Sequence, residues 1–214
     1  MYTPKLNRNE NVQELHEFIH QNGFAILIST VEGKLWASHI PLLLSAKGEK
    51  LTGHVARGNK QWKEWNSETE ILAIFSGPHS YISSSWYDHE NVPTWNYIAV
   101  HVYGELKILS DNELLQSLKD LTDKYEKSAE QPVSVEHMNP AFVKKEMMGI
   151  TGFEIQITRM EAAYKLSQNR DAKNHEMIIA QLEKRNDPGS VAIDRKSTRL
   201  NSSHGGISRM PSSA

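Results

Sequence analysis

The chain has 214 residues, 24 Lys+Arg against 26 Asp+Glu, and 38% hydrophobic residues, enough to build one substantial ordered domain. It contains no cysteine, which excludes disulfides and thiolate chemistry and is compatible with a reducing, cytoplasmic setting. No apolar run approaches the roughly 20 residues of a membrane span, and the N-terminus lacks the apolar core of a signal peptide, so no membrane role is expected.

Asn11 caps a predicted first helix carrying Val12, Leu15 and Ile19 at helical spacing, and Gly23 ends it. GFAILIST and LWASHIPLLL then flank a turn around Gly33 and read as a hairpin. A turn at AKGEK leads to the strand LTGHVA, followed by RGNKQWKEWN as a short helix or turn with Trp62 and Trp65 one helical turn apart. ILAIFSG is a fourth strand. From Gly77 to Gly104, Trp86, Tyr87, Trp95 and Tyr97 lie among Ser83, Ser84, Ser85, Thr94 and Asn96. Flat aromatic surfaces beside hydrogen-bonding groups suit a planar heteroaromatic ligand, and the same composition also suits a loop that merely covers one end of a sheet.

Strict alternation from Ile98 to Ile108 predicts a long half-buried strand, with Ile98, Val100, Val102, Gly104, Leu106 and Ile108 on the inward side. The glycine in that series marks a bulge or bend. Ser110 with Glu113 forms a capping box for a helix with Leu114, Leu118, Leu121 and Tyr125 on one face. A helix around Phe142 to Met148, an alternating strand through Phe153, Ile155 and Ile157, and a helix from about Asp171 follow, with Asp187-Pro188-Gly189 as the stop signal. The expected architecture is mainly β with peripheral helices: antiparallel strands in meander spacing forming a barrel, without βαβ alternation or a Rossmann or P-loop fingerprint.

Residues 1–190 are expected to form a single domain and 191–214 a disordered tail. The last twenty residues, RKSTRLNSSHGGISRMPSSA, are serine-rich and contain no acidic residue, as translated adapter or vector sequence often is. Four basic residues, Arg195, Lys196, Arg199 and Arg209, lie there, so residues 1–194 carry 20 basic against 26 acidic residues, a net of −6. That balance argues against broad contact with a phosphate backbone.

GHVARGNKQW places His54, Arg57, Asn59, Lys60 and Gln61 where a strand gives way to a turn. Arginine offers a planar fork matched to phosphate, Gly58 lets the backbone turn closely, and free N–H groups at a helix start would add donors. The alternative is a solvated Arg57–Lys60 pair. KLSQNR, residues 165–170, repeats the theme with Lys165, Gln168 and Arg170, or else enters a helix with Asn169 as cap. The histidines lack metal-ligand spacing, so no metal is expected. No GxSxG elbow supports a hydrolase.

The motifs ASHIPLLL, GHVARGNKQW, IFSGPHSYISSSWY, VPTWNYIAVHVYG and KLSQNR, in that order after a MYTP start, resemble the PaiB family of FMN-binding split-barrel proteins. The resemblance covers residues 1 to about 190 and implies a six-stranded split barrel, a homodimer with FMN at the subunit interface, and a negative regulator of sporulation and protease synthesis. It implies that the RGNKQ turn (Arg57, Asn59, Lys60, Gln61) holds the phosphate. Ser38, His39 and His54 are then ring-side candidates, with Lys165, Gln168 and Arg170 near the cofactor of the partner subunit, and Trp95 and Asn96 of the inserted loop are expected to bind the cofactor as well. The long aromatic insertion departs from pyridoxamine-phosphate oxidases, so the oxidase reaction is not carried over. The alternatives are an FMN-dependent oxidoreductase using a nicotinamide cofactor and a small-molecule substrate, and a haem or other planar-ligand protein. Direct DNA binding has little support in the charge.

Overall fold

The structure, a computed structural model, describes residues 1–66, 70–185 and 187–204, with side chains to residue 197. Seven strands lie in one sheet: β1 (Phe24–Val31), β2 (Lys34–Pro41), β3 (Leu43–Leu44), β4 (Lys50–Ala56), β5 (Glu70–Ile82), β6 (Thr94–Ile108) and β7 (Ile150–Lys165). Their order is β2-β1-β5-β6-β7-β4-β3. Six strands were expected; the seventh is the two-residue β3, too short to leave a periodic signal. The helices are α1 (Val12–Gln21), α2 (Asp111–Glu126), α3 (Pro140–Met147), α4 (Ala172–Arg185) and α5 (Pro188–His204). Among the described residues no helix is long and apolar enough to cross a membrane.

The described residues fall into two compact units, the larger drawn from residues 11–75 and 100–160 and the smaller from residues 1–10, 76–99 and 161 onward.

In the larger unit β1 and β2 pair antiparallel from Phe24↔Pro41 to Val31↔Lys34. Their connection places both Glu32 (φ 52°) and Gly33 (φ 71°) in the left-handed region, the backbone of a two-residue turn whose twist matches the strands. β4 pairs with β7 from Lys50↔Gln156 to Ala56↔Ile150. The alternation of β6 buries Ile98, Val100, Val102 and Leu106 as predicted, while Ile108 at the strand end is exposed. At Gly104 the neighbouring backbone takes the space a side chain would fill, since a Cβ there would lie 2.3 Å from the Gln156 carbonyl oxygen. Trp65 packs edge-on against Phe153 at 4.9 Å and donates Nε1–H to Ser29 Oγ at 3.2 Å. Asn11 caps α1 by accepting from Glu14 N at 3.2 Å, and the Ser110–Glu113 capping box opens α2. On α2 Leu114 is buried, whereas Tyr125 is half exposed.

In the smaller unit α4 packs against α5. Pro188 does not stop the chain: it opens α5, with Asp187 accepting from Ser190 N at 3.0 Å. The expected tail from residue 191 is therefore helical to residue 204, and Ile193 and Ser197 are buried. The remainder of that tail, 205–214, lies outside the described residues.

Candidate functional site

A groove of about 460 Å³ in the larger unit is lined by Ser38, His39 and Pro41 of β2, His54 and Val55 of β4, and Asn59 of the turn that follows. Alternation explains the set. In β4, Leu51, Gly53 and Val55 are buried, which turns Thr52 and His54 to the other face. Burial pushes the His54 imidazole below its ordinary pKa, so at neutral pH it is uncharged, with one ring nitrogen donating and one accepting. His39 is exposed on β2, with its ring 6.4 Å from that of Phe24.

The turn after β4 is held by a closed amide network. Asn59 Oδ1 accepts from Gln61 N at 3.0 Å, and its Nδ2 donates to Ser38 Oγ at 2.8 Å. Ser38 Oγ in turn donates to Gln61 Oε1 at 2.7 Å, while Gln61 Nε2 donates to the Leu27 and Trp36 carbonyls at 3.3 and 3.5 Å. Gln61 is fully buried. Three expected ligand contacts, Ser38, Asn59 and Gln61, thus bond one another, and the helix-start N–H of Gln61 is already taken by Asn59. From the other side Trp62 Nε1 donates to the Arg57 carbonyl at 2.8 Å. The turn also carries two cations, neither of which is in the groove lining. Lys60 is exposed, and Arg57 commits one guanidinium N–H to the Ile150 carbonyl at 3.2 Å. Arg57 lines a separate cavity beside α2 and α3.

The other five expected residues, Trp95, Asn96, Lys165, Gln168 and Arg170, belong to the smaller unit. Asn96 is fully buried; its Oδ1 accepts from Ser167 Oγ at 3.0 Å, and its Nδ2 has no hydrogen-bond partner among the described residues. Ser167 sits in the left-handed region at φ 61°, a costly conformation for a residue with a side chain. Lys165 Nζ donates to Thr94 Oγ1. Gln168 is a clamp, accepting from Leu166 N at 2.7 Å and donating to the Tyr164 and Leu6 carbonyls at 2.7 and 3.0 Å. The Arg170 guanidinium lies 4.9 Å from the Tyr87 ring centre. Asp171 caps α4, accepting from Asn174 N at 2.9 Å, so Asn169 is not its cap.

The aromatic loop is anchored within the same unit. Asp88 N donates to Asn174 Oδ1 at 3.1 Å, and the Asp88 carboxylate accepts from Lys173 at 2.7 Å and Asn174 at 2.9 Å. Lys173 first, then His89 and Asn174, hold this carboxyl well below the usual range. Tyr87 is buried, Trp86 stacks under Arg185 at 4.7 Å, and Trp95 is exposed, flanked by His79 and Tyr81 at 5.9 and 5.7 Å. One group that composition did not disclose is Thr151, paired with Val55 across the β4–β7 ladder, whose buried hydroxyl has no hydrogen-bond partner among the described residues. Its place was hidden inside an ordinary strand pattern.

A mainly antiparallel sheet with flanking helices is the fold of a split-barrel protein, and its histidine-lined groove lies next to a turn that carries two cations. The fold is similar to that of the FAD and heme binding protein from Mycobacterium smegmatis, with a TM-score of 0.59 at 16% identity over 81% of this chain and 80% of that one. It is also similar to the flavocytochrome Anf3 from Azotobacter vinelandii, with a TM-score of 0.58 at 13% identity over 80% and 75%. Residues 1–159 match the family described as "Putative FMN-binding domain". Over 192 residues the chain is 42% identical to the "Protease synthase and sporulation protein PAI 2" of Bacillus subtilis (strain 168), covering 89% of this chain and 93% of that protein. The chain belongs to this PaiB-like FMN-binding family, and FMN is its cofactor.

The residues present fit that cofactor. Lys60 and the uncommitted Arg57 N–H groups match a phosphate, and the neutral His54 offers both a donor and an acceptor to a flavin ring edge. Ile40, Pro41 and Val55 add apolar wall to the same groove.

Proposed function

We propose that this chain is a negative regulator of transcription of the PaiB type, acting on protease synthesis and sporulation through its flavin-loaded state rather than through a dedicated DNA-reading face. The observation that carries this reading is the groove between His39, His54 and the Lys60 turn, in a chain 42% identical to a protein named for protease synthesis and sporulation. The acidic balance favours indirect action, since a duplex-binding surface needs clustered cations. FMN supplies one- or two-electron redox chemistry when bound. In this reading Lys60 and Arg57 hold the phosphate, the Ser38–Asn59–Gln61 network fixes the turn that carries them, and His54 hydrogen-bonds the ring edge without adding charge.

The same reading makes the chain a homodimer. β2 lies at one edge of the sheet, and Leu35 (85% exposed) on it, with Phe24 (64%) at the start of β1, presents apolar surface of the kind a second copy covers. Overproduction of the chain and of Lys60→Ala in a bacterium that secretes proteases tests the regulatory role. Wild type lowers extracellular protease and the variant does not; equal repression by both would remove the link between flavin and regulation.

An FMN-dependent oxidoreductase acting on a small molecule is the second reading, favoured by the neutral His54 beside an open groove. NADH or NADPH oxidation above the rate of free FMN would support it.

A further inference from the structure

The geometry points to a second binding site in the larger unit, the cavity between α2 and α3, which takes a small organic carboxylate with an apolar body. Its volume is about 550 Å³, within the range of small-molecule pockets. Three features of the segment that covers it argue for a ligand.

First, α3 buries none of its eight residues, and neither does the 3₁₀ turn Val135–His137 before it. An isolated helix of this length is not stable in water and depends on packing of its apolar face. Here an ion pair ties the segment to α2, Lys119 donating to Glu136 at 2.8 Å, while Asn139 caps α3 from within by accepting from Ala141 N and Phe142 N at 2.9 and 3.3 Å. The apolar stripe Val143 and Met147 of α3, with Leu115 of α2, lines open space.

Second, the lining is adaptable as well as apolar. Met138, Met147 and Met148 all contribute to it, and methionine's unbranched thioether conforms to varied apolar shapes.

Third, the charge is unbalanced in a way that favours an anion. Lys119 and Glu136 neutralise each other, whereas Lys144, also in the lining, has no ion-pair or hydrogen-bond partner among the described residues. Arg57 closes one side, but its free N–H groups are those assigned to the FMN phosphate, so the anion rests on Lys144. The opposing charge, Asp111, is in the first turn of α2, eight residues before Lys119 and so about 12 Å away along the helix. A carboxylate at Lys144 with its hydrocarbon against Leu115, Val143 and Met147 satisfies both surfaces. This site does not rest on the flavin reading, because none of Lys144, Val143 and Met147 lines the flavin groove.

Calorimetric titration of the full chain with octanoate tests the inference, with octylammonium and 1-octanol as parallel ligands. Octanoate binds saturably at one site per chain, 1-octanol at least about tenfold more weakly, and octylammonium not at all. Lys144→Gln, an open surface change, weakens octanoate about tenfold, the loss of a charge-assisted hydrogen bond. Val143→Trp fills the cavity and abolishes binding while FMN titration stays unchanged. Octylammonium or 1-octanol binding as tightly as octanoate, unchanged affinity in Lys144→Gln, or no saturable octanoate heat would overturn the proposal.

Discussion

Replacing Gln61 by alanine separates a residue that shapes the flavin site from one that touches the cofactor. The buried amide takes a hydrogen bond from Ser38 Oγ and gives two to the Leu27 and Trp36 carbonyls, so alanine strands those groups beside a small cavity. An unsatisfied buried polar group costs about 1–3 kcal/mol; Ser38 Oγ keeps the bond it accepts from Asn59, so the expected loss of stability is about 1–3 kcal/mol. Because the network fixes the turn that carries Lys60 and Arg57, FMN affinity falls together with stability, while riboflavin, which has no phosphate, loses less. Lys60→Ala separates the two effects. Its stability is unchanged within about 0.5 kcal/mol, as for most surface substitutions, while FMN binding weakens by about 1.5–3 kcal/mol and riboflavin binding stays the same. Urea unfolding gives the first quantity, and flavin fluorescence titration with the two ligands gives the second. A Gln61→Ala protein destabilised by less than about 0.5 kcal/mol would refute the assignment of Gln61 as a structural clamp.

Gly104→Ala drives a Cβ to 2.3 Å from the Gln156 carbonyl oxygen and 2.6 Å from Ile155 Cγ2; backbone cannot yield as a flexible side chain does, so the expected cost in urea unfolding is about 3 kcal/mol. Trp65→Phe keeps the ring against Phe153 but loses the Nε1–H bond to Ser29, with an expected loss of about 1 kcal/mol in the same assay. His54 and His175 both have pKa values lowered, chiefly by burial, so the unfolded chain takes up protons below about pH 6.5 that the folded chain refuses. Thermal stability therefore drops as pH falls from 7.5 to 5.5, and a flat profile over that window would contradict the burial of these imidazoles. The proposed homodimer predicts that the wild-type chain sediments as a dimer and Leu35→Arg as a monomer with an unchanged far-ultraviolet spectrum; a monomeric wild type would remove it.

The strands with clear alternation were legible because period two is a property of neighbouring residues alone, as in Ile98–Val100–Val102 and Phe153–Ile155. Their lengths were not. β5 runs on to Ile82 through Gly77 and Pro78, residues that ordinarily punctuate a strand, and β3 is two residues long. α5 was missed because a serine-rich segment with few apolar residues resembles a tail, yet Ile193 and Ser197 are buried. At the site, composition identified the turn but not the division of labour within it. Asn59, Gln61 and Gln168 have the amides a ligand needs, and only their positions show that other protein groups already occupy them. Nor does sequence distance disclose that Arg57 lines the α2–α3 cavity, since that depends on how the helices after β6 pack.

Affinity at the flavin site depends on the phosphate. Titration of the full chain with FMN and, in parallel, riboflavin, followed by quenching of flavin fluorescence, measures that dependence. Saturable FMN binding with riboflavin at least about tenfold weaker is the predicted result, the difference expected of a phosphate engaged by one or two charge-assisted hydrogen bonds. Equal affinity for the two flavins would contradict the role of Lys60 and Arg57, and no saturable binding of either would contradict the site itself.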